Sequence, residues 1–181
     1  MPEKLVPCAQ FTVSTIMIQR IQSIFILLVA VAMGVTLLFP IWEKIGPGLE
    51  EAVSVTAFQI THYKYSADAP GEITEVIKQD SLWYAVLLAG LSIVVALISL
   101  FSFKNRLNQI KLNALNALLI GGYVVSTLLA TLRGDEWLAV EGEGHYLPGF
   151  YIPLVALLCN MLANRFIRKD DLLVRSADRF R

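Results

Sequence analysis

The chain has 181 residues, 56% of them hydrophobic and only 17% charged, and its 15 basic and 15 acidic side chains cancel to a formal charge of zero. Soluble domains run near a quarter charged and at most half apolar. With a mean hydropathy of +0.61, this composition excludes a soluble enzyme, a nucleic-acid-binding protein and a disordered adaptor.

The apolar excess gathers in four windows free of Asp, Glu, Lys and Arg: residues 21–42, 81–103, 112–132 and 144–164. Each is longer than the ~18 apolar residues that read as a membrane span, and at ~1.5 Å per residue each matches the ~30 Å hydrocarbon core. The expectation is an all-α membrane protein, a four-helix transmembrane bundle over residues 21–164. A cleaved signal peptide does not fit the first window, which is longer than an apolar signal region of about 7–15 residues and ends in Leu38-Phe39-Pro40-Ile41-Trp42.

Residues 1–20 precede the first span as a short N-terminal segment. Its cationic lead-in is complete in Met17–Gln22, so residues 1–16 read either as an extension ahead of a start at Met17 or as a cytoplasmic arm. After the span, residues 43–80 form the longest hydrophilic piece. Turn signals at Gly46-Pro47-Gly48 and Pro70-Gly71 bracket Val53–Tyr65, a run rich in β-branched and aromatic residues. It predicts a small β-like cap of two or three strands between helices 1 and 2, which cannot fold alone. Such a cap serves as a cover, as a docking surface for an envelope partner, or as a lid. His62 within it has no second His, Cys or carboxylate pair at metal spacing, and no metal site is assigned.

The link Lys104–Lys111 is short and basic and marks a helical hairpin. The tail, residues 165–181, places Phe166, Leu173, Ala177 and Phe180 on one face of a helix and Arg168, Arg175 and Arg179 on the other. This predicts a basic amphipathic helix that is either a solvated anchor or an arginine docking face.

Charge orients the spans. Lys4, Arg20, Lys104, Arg106, Lys111 and the six basic residues of the tail fall on one side, whereas the other two connections are dominated by acidic residues. Short Lys- and Arg-rich segments stay cytoplasmic, so both termini are expected inside. Trp42, Trp83 and Trp137 fall near the opposite interface, where indole rings favour the headgroup layer.

No span carries an ionisable residue in its interior, which disfavours ion-coupled transport and intramembrane proteolysis. The sequence holds no phosphate-binding loop, nucleophile elbow, paired catalytic carboxylates or metal-spaced His/Cys cluster. Catalytic, cofactor and metal residues are therefore all read as none. The polar candidates are Asn113 and Asn116 near the start of span three, Asn160 and Asn164 near the end of span four, and His145 at the outer margin of span four. Asn116 and Asn160 fall at equal depth on antiparallel helices, as packing contacts or as a ligand pocket. Pairs such as Ala30/Gly34, Ala85/Ala89 and Ser92/Ala96 permit close helix approach within one bundle or in a homo-oligomer.

Met17-Ile-Gln-Arg-Ile-Gln-Ser23, Phe39-Pro40, Thr56-Ala57-Phe58, Lys104-Asn-Arg106 and Lys169–Arg181 together resemble a bacterial family of small four-span membrane proteins catalogued as a domain of unknown function. The resemblance runs from Met17 to Arg181. It implies inner-membrane residence and brings no catalytic residues. The expected role is a non-enzymatic scaffold or accessory subunit that contacts membrane lipids and other inner-membrane or envelope proteins. The alternative is a small-molecule or lipid carrier with a pocket between helices 3 and 4.

Overall fold

Proline disfavours helical backbone in the residue before it and cannot continue a helix itself. Helix α1 (Cys8–Thr36) accordingly ends one turn ahead of Pro40, closed by Leu37 and Leu38 N–H bonds to Gly34 and Val35 carbonyls. In a computed structural model of the chain, residues 8–48, 50–66, 73–102, 105–138 and 143–178 are described, with the side chains of 8–21, 170, 171 and 173–178 outside that description. After α1 come strands β1 (Trp42–Ile45), β2 (Glu51–Val55), β3 (Gln59–Tyr65) and β4 (Ile73–Ser81). Helices α2 (Trp83–Phe101) and α3 (Arg106–Trp137), strand β5 (His145–Tyr146) and helix α4 (Pro148–Asp178) complete the order.

The strands form one antiparallel sheet in the order β4-β3-β2-β1-β5. This overturns the all-α expectation. The run Val53–Tyr65 does form strands, but the sheet has five members, and its last comes from the α3–α4 connection rather than from between α1 and α2. Strand β4 escapes a pattern reading because all nine of its residues are exposed, so no face alternates. Trp42 and His145, assigned to spans, belong to β1 and β5 instead.

Trp42, Lys44, Val53, Val55, Ile60 and His62 share one face of the sheet, fixed by the pairings Trp42 with Val55, Lys44 with Val53, Val53 with His62, and Val55 with Ile60. All six are buried. Their backing is the last part of α3, which at 32 residues is about 48 Å long and outruns a bilayer core of about 30 Å. A Cβ on Gly134 would meet the side chains of Trp42, Val53 and Val55 at 3.2 Å. The Lys44 ammonium bonds the Asp135 carboxylate at 2.7 Å, and the Lys78 ammonium lies 4.1 Å from the centre of the Trp137 ring. Charges at Arg133, Asp135 and Glu136 thus mark the end of the apolar stretch without ending the helix.

Among the described residues, three helices are long and apolar enough to cross a membrane: Trp83–Phe101, Arg106–Trp137 and Pro148–Lys169. The apolar part of α1 among the described side chains, Gln22–Thr36, is shorter. Helix α1 packs chiefly on α4, α2 on α3, and α1 also on α2 and α3 on α4. At the bundle end away from the sheet Phe25 and Phe166 stack with centroids 5.6 Å apart.

Candidate functional site

Burial in the helices is the reverse of that in a water-soluble bundle. The buried stripe of α2 is Ala85, Ala89, Ser92, Ala96 and Ser99. That of α3 is Gln109, Asn113, Asn116, Ile120, Tyr123, Thr127, Ala130, Thr131 and Gly134. Apart from Thr131, which adjoins Ala130, steps of three and four residues keep each stripe on one seam, as in left-handed helix pairs. Leu87, Leu91, Val94, Ile98, Leu118, Val125, Leu132, Val155, Leu158 and Met161 point outward.

The amides sit on this seam. Ser92 Oγ donates to Asn116 Oδ1 at 2.7 Å, and Ser99 Oγ donates to Asn113 Oδ1 at 2.7 Å. Asn160 Nδ2 donates to the Asn113 carbonyl at 2.8 Å, and Gln109 Nε2 to the Ser99 carbonyl at 3.3 Å. The expected pairing of Asn116 with Asn160 is replaced by Asn113 bridging α2 and α4 while Asn116 turns to α2. The serine partners are Ser92, which the sequence marks only as a site of close packing, and Ser99, which no sequence signal singles out. Gln22 Nε2, Asn113 Nδ2 and the Asn164 Oδ1 remain buried without a partner among the described residues. Gln109 joins this polar layer although nothing in the sequence singles it out.

The other candidates lie apart. His145 is exposed on β5, opposite Glu43 across the ladder, and is remote from the amide seam. Arg168 is exposed on α4; Arg175 lies on the same helix with its side chain outside the described set, and Arg179 lies outside the described residues. His62 is buried, with Nε2 3.3 Å from Glu51 Oε2, while Lys64 Nζ lies 3.5 Å from the other carboxylate oxygen, Oε1. No group of three or more His, Cys, Asp or Glu able to hold a metal occurs among the described residues.

On the opposite face of the sheet, the Tyr63 hydroxyl donates to Glu43 Oε1 at 2.9 Å and lies 3.4 Å from the Tyr65 hydroxyl. Burial, then these two neighbours, raises the Tyr63 phenol well above its ordinary value, because an ionised phenolate would be poorly solvated beside a carboxylate.

A family model described as "Domain of unknown function (DUF4293)" matches residues 18–180. The chain belongs to that family. A search of curated proteins returned no match. The DUF4293 match covers the four helices from Ile18 onward and the whole sheet, so both the amide seam and the sheet–helix junction lie within the family's domain.

Backbone hydrogen bonds tie that junction of the DUF4293 domain together. Leu147 N–H bonds the Ile41 carbonyl, Gly149 N–H bonds the Pro40 carbonyl at 3.0 Å, and Thr36 Oγ1 donates to the Gly149 carbonyl at 2.9 Å. A Cβ on Gly149 would lie 2.5 Å from the Pro40 oxygen and 2.6 Å from the Phe39 oxygen, so only glycine permits this approach. Beside it, residues Leu37–Pro40 and Thr56, Phe58 and Gln59 line a groove of about 550 Å³.

Proposed function

We propose that this DUF4293 protein is a multi-pass inner-membrane protein acting as a non-enzymatic scaffold or accessory subunit of a membrane complex, with the sheet outside and both termini in the cytoplasm. One observation carries the reading: small and polar residues fill the helix seams while Leu, Val and Ile face outward, with only about a third of each candidate span buried. In water that arrangement would leave large contiguous apolar patches exposed. In hydrocarbon it is the favourable one, because lipid tails solvate Leu as well as another helix does and small residues let backbones approach. The concentration of Lys and Arg in the α2–α3 link and the tail supports the orientation.

The scaffold role draws on how the polar groups are used. Ser92, Ser99, Asn113, Asn116 and Asn160 hydrogen-bond one another across helices, which is the work of packing. Exposed polar surface is left on the sheet and at Arg168 and Lys169. A second reading, a small-molecule or lipid carrier between α3 and α4, draws on the unpartnered Gln22, Asn113 and Asn164 atoms. Crosslinking in the native membrane followed by native mass spectrometry separates the two. A protein partner at fixed stoichiometry, lost on replacing Arg168, Arg175 and Arg179 with Gln, supports the scaffold. Retention of one small molecule by an otherwise unpartnered chain, abolished by Asn160→Leu, overturns it in favour of the carrier.

A further inference from the structure

The turn between β2 and β3 has an apolar tip where polar residues are the norm. Thr56 and Gln59 lock it: Thr56 N–H and Oγ1 both bond the Gln59 carbonyl, and the Gln59 N–H returns a bond to Thr56 Oγ1. Of the two residues between them, Ala57 is fully buried and Phe58 is thrown outward, 51% exposed. The Phe58 carbonyl accepts the Leu82 N–H at 2.7 Å, one residue before α2 begins. Phe58 is therefore held at the height where that apolar helix starts. At the same height Leu38, Phe39 and Trp83 are also exposed, Leu38 by 81% and Trp83 by 67%.

The groove beside the turn continues the outer surface of the helices. One wall is Leu37, Leu38, Phe39 and Pro40, the continuation of α1 beyond its last turn, and the other is Thr56, Phe58 and Gln59. No charged side chain among the described residues lines it. Its apolar wall runs directly into the lipid-facing side of α1, where Val31 is 53% exposed, so what covers the helix reaches the groove without interruption.

We infer that the β2–β3 turn inserts into the membrane: Phe58 enters the outer leaflet beside the start of α2, and the groove between the turn and residues Leu37–Pro40 takes an acyl chain of a bilayer lipid. The inference rests on the membrane reading above. It makes the sheet a structure seated in the headgroup layer, with β4 running away from the bilayer from Ser81 to Ile73.

Nitroxide labels on single cysteines test it, in a Cys8→Ser, Cys159→Ala background reconstituted in vesicles of phosphatidylethanolamine and phosphatidylglycerol. Three positions are compared: Phe58→Cys, Leu91→Cys within α2, and Ile73→Cys at the far end of β4, all exposed sites that leave the core intact. Power saturation reads collision with oxygen, which partitions into lipid, against a water-soluble nickel chelate. The expected result is oxygen preference at 58 and 91 and chelate preference at 73. Chelate preference at 58 with oxygen preference at 91 overturns the inference alone. Chelate preference at both 58 and 91 overturns the membrane reading and the inference with it.

Discussion

Replacing Gly149 by Ala probes the joint on which the sheet is mounted. The new methyl would sit 2.5–2.6 Å from two backbone oxygens of Phe39 and Pro40, which cannot rotate aside as a side chain can. The first turn of α4 must lift, stretching the Gly149 N–H bond to Pro40 and the Thr36 Oγ1 bond to the Gly149 carbonyl. Each buried bond contributes about 1 kcal/mol net, and overpacking costs about 1–3 kcal/mol, for a total of about 3–5 kcal/mol. At about 2–4 °C per kcal/mol for a chain of this size, the Tm should fall by about 6–20 °C. Tryptophan fluorescence in detergent micelles reads the melt, since Trp42 is buried near the joint. Gly121→Ala is the control: nothing lies within 4 Å of its Cβ position, and Ala in a helix interior is favoured over Gly by up to about 1 kcal/mol. A Gly149→Ala protein melting within about 2 °C of the wild type would refute the account of the joint.

Three further outcomes are expected. Asp135→Asn leaves the Lys44 ammonium, 6% exposed, without its counter-charge; because Asp135 is itself 55% exposed the loss is discounted to about 1–3 kcal/mol, and adding Lys44→Met should restore the melting temperature. A double-mutant cycle of Ser92→Ala and Asn116→Leu should give a coupling of about 0.6–2 kcal/mol by unfolding in detergent, whereas additivity within about 0.3 kcal/mol would deny their hydrogen bond any energetic role. With its phenol pKa raised in the fold, Tyr63 contributes stability that is full below about pH 10, where the unfolded phenol ionises, and that is lost as pH climbs toward the folded value. Alkaline melts should therefore steepen above about pH 10, the steepening should shrink in Tyr63→Phe, and absorbance at the tyrosinate band should show one fewer late-titrating residue.

The helices were legible because charged residues bound the long apolar windows: α2 lies within two residues of its predicted window at each end. The β character of Val53–Tyr65 was legible from its branched and aromatic content. What could not be read follows from the same physics. The apolar window of α3 ends at Leu132, yet the helix continues to Trp137, because charged residues such as Arg133 and Glu136 are as compatible with helical backbone as the apolar ones before them. Strand β4, with Glu75, Lys78 and Asp80 among apolar residues, has no buried face to impose a period of two. Strand β5 is two residues long and exists only because it lies against β1. In the candidate site, the depth of the asparagines was legible but their partners were not, since a serine hydroxyl announces itself in sequence as a small residue and only the fold reveals which amide it meets.

The mounting of the sheet bears on what it can do. A lid must open, and opening requires a hinge whose contacts are few. Here the sheet base is tied at Ile41 to Leu147, at Pro40 to Gly149 and at Phe58 to Leu82, so α1, α2 and α4 each enter it through a backbone hydrogen bond. Its buried face is backed by α3, with Gly134 against Trp42, Val53 and Val55 and with Lys44 bound to Asp135. All four helices would have to move for the sheet to swing. A platform fixed to every helix of its anchor is suited to holding a surface at constant height and orientation, and β4, exposed along all nine residues, is the edge strand that surface leaves open.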